Sequence, residues 1–394
     1  MKSFLNPSIE SLPANPFAAL SHLLSDVRPP SSADVLNAAV GDPQGDSSIP
    51  VELIAANGNL WGRYPPLIGT EELRSAVLGW LERRFELRPG WLGGQIDILP
   101  TAGTREALFL AAAMAVPWGD RHGVVLMPNP SYPGYTGSAI MAGAEPIFVP
   151  ARAENGYLPD YEALGADTLN RTALAYLTNP TNPEGAAAPP DYLARMLRLS
   201  ERFNFVLAVD ECCIDLYTRD KPVGVLSVCH DQGLPTDRLL VFNSLSKRSL
   251  AAGLRSGFIA GAPALIATMR NVRSFTGATI PLPLQAASAA LWADDRHVDH
   301  IRGDLDEKFT FAETVLGDAY GRVRPSGGFF LWLRVGDDLA LAQRAWSHGL
   351  KIMPGSILGH GAGDENPGRG YIRVALVHRL PEAQRLITML RQFI

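Results

Sequence analysis

Lys247 stands in Ser244-Leu-Ser246-Lys247-Arg-Ser-Leu-Ala-Ala-Gly-Leu-Arg255-Ser-Gly257, directly after the apolar run Leu-Leu-Val-Phe at 239–242. A lysine at a strand end, walled by small residues, can shed its proton and attack a carbonyl as a free amine. The serine hydroxyls and Arg255 are groups that a phosphate takes readily. Together they read as a lysine that forms an imine with a phosphorylated aldehyde cofactor, pyridoxal phosphate. The plain alternative is a solvated surface lysine.

Five further clusters carry chemistry that suits such a cofactor. Asp210 closes the apolar run 205–209; a carboxylate there pairs with a protonated pyridine nitrogen, or else caps the next helix. Asn182 lies in Asn179-Pro-Thr-Asn182-Pro-Glu-Gly185, where two Asn-Pro steps force a defined turn able to hold an amide against a ring oxygen. Thr101-Ala-Gly103-Thr104-Arg105 joins a strand to an alanine-rich helix, and the amides of a helix start, with the Thr104 hydroxyl, make an anion site or a simple cap. Tyr132, in Asn129-Pro-Ser-Tyr132-Pro-Gly-Tyr135, can lie flat on an aromatic ring or pack on the core. Arg373 alternates with apolar neighbours in the run 371–377; buried there, it needs a carboxylate, supplied by a substrate or by an internal salt bridge.

The elements that must position these groups are legible as well. Short apolar runs at 96–99, 124–127, 146–149, 173–177, 205–209, 239–242 and 258–260 alternate with helical patterns such as 106–114 and 191–200. Most of the runs are continuous rather than alternating, which predicts a mainly parallel sheet with helices on both faces. In such sheets ligands sit beyond the carboxyl ends of the strands, where the distinctive residues fall. A tail of helix at 284–292, a longer charged helix from about 294, a strand at 327–335 and another at 371–377 predicts a smaller second domain. The segment 35–41 is expected to join its sheet. The glycine-rich stretch 359–368 reads as a mobile loop or a surface insertion.

Composition narrows the class. With 394 residues, 46% hydrophobic and 19% charged, the chain can bury a large core. A net charge of −5 with dispersed arginines gives no footprint for nucleic acid. Three cysteines without a C-x-x-C pair signal neither a disulfide framework nor zinc. No apolar stretch is long enough to span a bilayer. Met1-Lys-Ser-Phe-Leu-Asn-Pro7 lacks an apolar core of the secretory type. The expectation is a cytoplasmic enzyme with no metal, acting on small molecules.

Taken in order, Tyr64-Pro-Pro-Leu-Ile-Gly69 with Glu72-Leu-Arg74, Ala102-Gly-Thr-Arg105, Pro130-Ser-Tyr-Pro133, 179–185, Asp210-Glu211, Ser244 to Arg255 and Arg373 resemble the class I/II aminotransferases. That resemblance implies the α/β fold of fold-type I pyridoxal phosphate enzymes: a large domain at 45–285 with a seven-stranded sheet, and a smaller α+β domain from 1–44 and 286–394. It implies that Lys247 binds the cofactor and shuttles protons, that Asp210 holds the pyridine nitrogen, Asn182 the ring oxygen and Tyr132 the ring face. Gly103, Thr104, Arg105, Ser244, Ser246 and Arg255 would surround the phosphate. Tyr64 would reach the phosphate of a neighbouring subunit in a homodimer. Arg373, with the backbone near Gly41, would bind the α-carboxylate of an amino acid or 2-oxo acid. Cys213 departs from the pattern, standing where the family usually has a tyrosine that donates to the ring oxygen; a thiol is a weaker donor. Asp-Glu-Cys-x-x-x-x-Tyr at 210–217, Ser-Leu-Ser-Lys-Arg-Ser and the run 281–292 are similar to the N-succinyldiaminopimelate aminotransferase group, which uses glutamate as donor. A C–S lyase on the same scaffold, or a non-catalytic cofactor-binding paralogue, is the competing reading.

Overall fold

The computed structural model describes residues 10–31, 35–45, 47–117, 123–321 and 323–394. The N-terminal stretch read above for a leader, Met1 to Pro7, lies outside them. The strands are β1 (Leu36–Asn37), β2 (Asp97–Thr101), β3 (Val124–Asn129), β4 (Glu145–Pro150), β5 (Thr172–Thr178), β6 (Val206–Asp210), β7 (Leu239–Ser244), β8 (Gly257–Gly261), β9 (Phe330–Arg334), β10 (Leu350–Lys351), β11 (Met353–Pro354) and β12 (Tyr371–Ala375). The seven apolar runs are β2 to β8, and they form one sheet in the order β2-β8-β7-β6-β5-β3-β4. β4, β3, β5, β6 and β7 run parallel, while β8 is antiparallel to both of its neighbours.

Successive side chains of a strand point to opposite faces, and the core divides accordingly. Leu126, Leu177, Leu207, Val209 and Val241 face one apolar cluster, with the helices Glu71–Phe85, Pro190–Phe203 and Leu282–Ala293. Met127, Tyr176, Ala208, Leu240 and Phe242 face the other, with the helices Thr104–Ala115, Pro133–Met141 and Pro263–Thr276. Because both faces are covered, β3 and β7 are buried at every residue. This is why the runs read as continuous rather than alternating.

The second core sits on the antiparallel sheet β11-β12-β9, covered by the helices Arg296–Leu316 and Leu380–Arg391. The segment expected to join this sheet instead pairs with β10: β1 and β10 make a parallel ladder of their own. Just beyond it, the Ala38 carbonyl accepts from the Ala375 amide at the end of β12, 2.8 Å away. The glycine-rich stretch 359–368 is a pinned insertion. Asn129 Nδ2 donates to the His360 carbonyl at 2.9 Å, the His360 amide donates back to Asn129 Oδ1 at 2.8 Å, and Asn366 Oδ1 accepts from the Gly368 amide.

The pairing register sets the working edge of the large sheet. β3, β5, β6 and β7 are parallel, so Asn129, Thr178, Asp210 and Ser244 end at one edge. Antiparallel β8 begins there, with Gly257 opposite both Ser244 and Thr101. Every segment singled out in the large sheet leaves from this edge.

Candidate active site

A cavity of about 410 Å³ opens at that edge. Its wall brings together Thr104, Arg105, Tyr132, Asn182, Asp210, Cys213, Ser244, Ser246, Lys247 and Arg255. A second cavity of about 620 Å³ shares Arg105, Tyr132, Asn182, Cys213 and Lys247 with the first, and adds Gly41 and Arg373 from the small-sheet side. Two expected residues are off the walls. Gly103 sits behind Arg255, and Tyr64 is fully exposed on the surface.

Lys247 rides on the single-turn helix Leu245–Arg248, started by Ser244, whose hydroxyl accepts from the Ser246 amide at 3.0 Å. The half-buried amine donates to the Gly41 carbonyl and lies 5.3 Å from the centre of the Phe329 ring. Burial pushes its pKa below the usual lysine value, against the pull of Cys213, Asp42 and Cys212. Among the described residues it has no carboxylate within ion-pair distance. This is the setting of an amine that can be neutral.

Asp210 is braced from two sides. Its Oδ1 accepts from the Cys212 amide at 3.1 Å and its Oδ2 from the Tyr135 hydroxyl at 2.8 Å. Tyr135 also meets Thr178 Oγ1 at 3.1 Å and stacks on Tyr176 with ring centroids 4.3 Å apart. Burial pushes the Asp210 carboxyl up, opposed by hydrogen bonds from Cys212 and Tyr135. No described cationic side chain pairs with it, so a cation entering the cavity would find an uncompensated carboxylate. Beside it, burial pushes the Cys213 thiol up to about 12, so this group stays a neutral, weak donor.

The phosphate end is built from backbone. Gly103 has φ +79 and caps the helix Thr104–Ala115; a Cβ there would lie 2.2 Å from Arg255 Nη2. Arg255 itself, at φ 52, donates to the Ala252 carbonyl at 3.0 Å and the Ala102 carbonyl at 3.2 Å. The Thr104 hydroxyl, expected to donate to an anion, is 3.2 Å from Cys212 Sγ instead. The free helix-start amides, the serines and Arg255 fit a phosphate. The unpaired Asp210 fits a pyridine N–H, and the amine of Lys247 fits an aldehyde. The residues present therefore fit pyridoxal phosphate.

Arg373 projects from β12 into the second cavity, 7% exposed. Its Nη2 donates to the Ala39 carbonyl at 2.9 Å and its Nη1 to Asn182 Oδ1 at 3.3 Å; Nε has no partner. The internal salt bridge weighed above is absent among the described residues. Burial lowers its pKa to about 10. Arg273, an alternative reader of a distal carboxylate, is buried elsewhere against the Pro100 and Ala278 carbonyls and Glu106. Arg63 is exposed and lines neither cavity.

Sequence reasoning passed over Tyr135, Thr178 and Cys212 on the first cavity, and Phe17, Phe109, Phe329 and Phe330 on the second. Thr178 is the last residue of β5, so the strand-end rule would have found it. Tyr135 sits one helical turn beyond Tyr132 and faces the same way. The phenylalanines look like ordinary core residues, and only the fold separates them from that role.

Comparison with known proteins shows the family. The profile of "Aminotransferase class I and II" matches residues 33–390. The transaminase OxyQ of Streptomyces rimosus is 33% identical over 86% of this chain and 89% of its own. An LL-diaminopimelate aminotransferase of Dehalococcoides mccartyi is 28% identical over 99% and 98%. The crystal structure of an aminotransferase from Neisseria meningitidis superposes with a TM-score of 0.92 at 30% identity, covering 98% of this chain and 99% of that one. The chain belongs to the class I and II aminotransferase family, pyridoxal phosphate-dependent transaminases of fold type I.

Proposed function

We propose that the two joined cavities are the active site of this transaminase, which moves an amino group between an amino acid and a 2-oxo acid in two alternating half-reactions. The observation that carries the reading is the placement of three groups around one space: the partly desolvated Lys247 amine, the unpaired Asp210 carboxylate and the unpaired Arg373 guanidinium. Asp210 would hold the cofactor's ring nitrogen, Asn182 and Cys213 its ring oxygen, and Tyr132 its ring face. Gly103, Thr104, Arg105, Ser244, Ser246 and Arg255 would hold its phosphate. Pyridoxal phosphate, when bound, supplies an electron sink for the pair left behind when a proton leaves the α-carbon.

The chain's own residues do the rest. Arg373 and the backbone near Gly41 fix the α-carboxylate and so point the α-hydrogen at Lys247. The Lys247 amine takes that proton and returns it on the far side of the transfer, as a general base and then a general acid. Its lowered pKa keeps a fraction of the amine free for the first step. Tyr135 orients Asp210 through its hydroxyl.

The motif resemblance points to N-succinyldiaminopimelate and glutamate as the amino-acid pair. Their distal carboxylates ask for a second cation; beside Lys247 and Arg373 the described walls carry Arg105 and Arg255, both placed at the phosphate, and of the two only Arg105 also lines the second cavity. Tyr64, Trp61 and Val51 form an exposed, largely apolar stretch that suits burial against a second copy, with Tyr64 completing the partner's phosphate site. We place one division between domains at 44/45; the other, expected at 285/286, falls inside the helix Leu282–Ala293, whose Ala287, Leu291 and Trp292 pack in the large-sheet core, so we place it after that helix. The free thiols of Cys212, Cys213 and Cys229 suit a reducing cytoplasm.

The test is a half-reaction on purified, cofactor-loaded enzyme, following the cofactor's absorption band as amino donors are added singly. Conversion to the amine form with release of a 2-oxo acid is expected. Release of pyruvate and ammonia from a β-substituted amino acid, with no conversion by any donor, would replace transamination by elimination. Sedimentation should report a dimer.

A further inference from the structure

We infer that the substrate side chain this enzyme prefers is large and apolar, aromatic in the first instance, and that Phe17 and Phe109 select it. The inference rests on the active-site reading above and departs from its dicarboxylic pair. The cavity of about 620 Å³ runs outward from Lys247 and Arg373. At the inner end Phe329 and Phe330 pack on each other with centroids 4.4 Å apart, and Phe330 lies under the Arg373 guanidinium at 4.4 Å. At the outer end stand Phe17, from the helix Pro16–Leu23, and Phe109, from the helix Thr104–Ala115, and Leu358 adds a further apolar side chain to the wall.

Phe17 and Phe109 are 41% and 37% exposed, large rings left partly uncovered on a concave wall. A side chain entering there exchanges water for aromatic and aliphatic surface. Charged side chains fare worse. Among the described residues no aspartate or glutamate lines this cavity, so a distal ammonium would be desolvated with none of them as a partner. For a distal carboxylate, Arg105 is the one cation left among the described wall residues of this cavity, and its Nε already donates to the Tyr132 hydroxyl at 3.0 Å beside the phosphate site. Covering half of an aromatic side chain on this wall is worth at least about tenfold in kcat/KM over alanine.

The experiment compares kcat/KM for phenylalanine, alanine, glutamate and N-succinyldiaminopimelate in the half-reaction of the loaded holoenzyme. Phenylalanine should exceed alanine by at least about tenfold, and Phe109→Ser and Phe17→Ser should each shrink that ratio severalfold, with Phe109→Leu keeping most of it. Phenylalanine no better than alanine, or N-succinyldiaminopimelate ahead of both with the ratio unmoved by either serine variant, overturns the inference and leaves the transaminase site standing. If no amino donor at all converts the cofactor, the active-site reading itself falls, and this inference with it.

Discussion

Arg373 is buried without a counter-ion, so replacing it should separate stability from activity. In Arg373→Leu two opposing changes meet. A guanidinium held at about 10, well below the usual arginine value, carries its charge in the folded protein at a cost of about 3 kcal/mol, which the variant removes. The Ala39 carbonyl and Asn182 Oδ1 lose their donors, at about 1 kcal/mol each. The net is a protein as stable as the parent or about 1 kcal/mol more so. Catalysis goes the other way. A bidentate pair to the substrate carboxylate is two charge-assisted bonds of about 1.5–3 kcal/mol each, so its loss lowers kcat/KM by about 10²- to 10⁴-fold. Urea unfolding and single-turnover kinetics on the same preparation read the two quantities. A fall in the urea midpoint would show that the guanidinium is structurally compensated. Retention of kcat/KM within tenfold would show that the carboxylate binds elsewhere.

Lys247→Ala should abolish the absorption band of the lysine-linked cofactor while leaving the fold intact by circular dichroism; a band that persists refutes the anchor. Cys213→Tyr restores a stronger donor at the ring oxygen, so the pH midpoint of that band should drop relative to the parent, and an unchanged or higher midpoint removes the role given to residue 213. Asp215 takes Arg84 Nε at 2.6 Å, Arg248 Nε at 2.8 Å and Arg302 Nη2 at 3.5 Å; Asp215→Asn strands these charges and should cost about 3–5 kcal/mol in urea unfolding, whereas a loss below about 1 kcal/mol would mean the cluster relaxes. Burial opposes ionisation of Asp215 but its arginines outweigh it and lower its pKa. Its contribution is therefore complete above the usual carboxylate range and is lost as pH falls through the lowered value. The acid limb of stability against pH should flatten in Asp215→Asn.

The large sheet was legible because its strands, the half-exposed edge strand β4 apart, are buried on both faces and so appear as unbroken apolar runs. Asp210 and Lys247 were legible because the parallel register puts the ends of β6 and β7 at one edge, whatever the loops do. Arg373 was legible as a charge in an apolar strand. The pairing of β1 with β10 was not, since both are two residues long and neither carries a pattern. Nor was the bond between Thr104 and Cys212, whose residues are far apart in the chain and meet only because β2 and β6 share the sheet edge. The aromatic outer wall was hidden for a related reason. Phe17 and Phe109 lie on separate helices that nothing local connects, and a phenylalanine on a helix reads as core until its exposure is known.

The adjacent cations Lys247 and Arg248 show why their order matters. Arg248 is the more deeply buried of the two, yet its guanidinium is fully employed: Nε donates to Asp215, Nη2 to Asp295 and Nη1 to the Leu291 carbonyl at 2.8 Å, with Trp80 and Trp292 on its flanks. Only a planar group with donors in a fixed fork can serve those three acceptors together, and it keeps its charge while doing so. Asp215 lies with Cys213 in the loop that follows Asp210 at the end of β6, so this clamp ties the turn that carries the lysine to the loop beside the carboxylate. Lys247, one residue earlier, faces the cavity with no described carboxylate within ion-pair distance, and burial lowers its pKa against the pull of Cys213, Asp42 and Cys212. An arginine at 247 would remain charged at any working pH and could not serve as the base. A lysine at 248 could not span Asp215, Asp295 and the Leu291 carbonyl, and the clamp would loosen under the amine it positions. The sequence Lys-Arg thus puts the cation that must titrate on the cavity and the cation that must not beneath it.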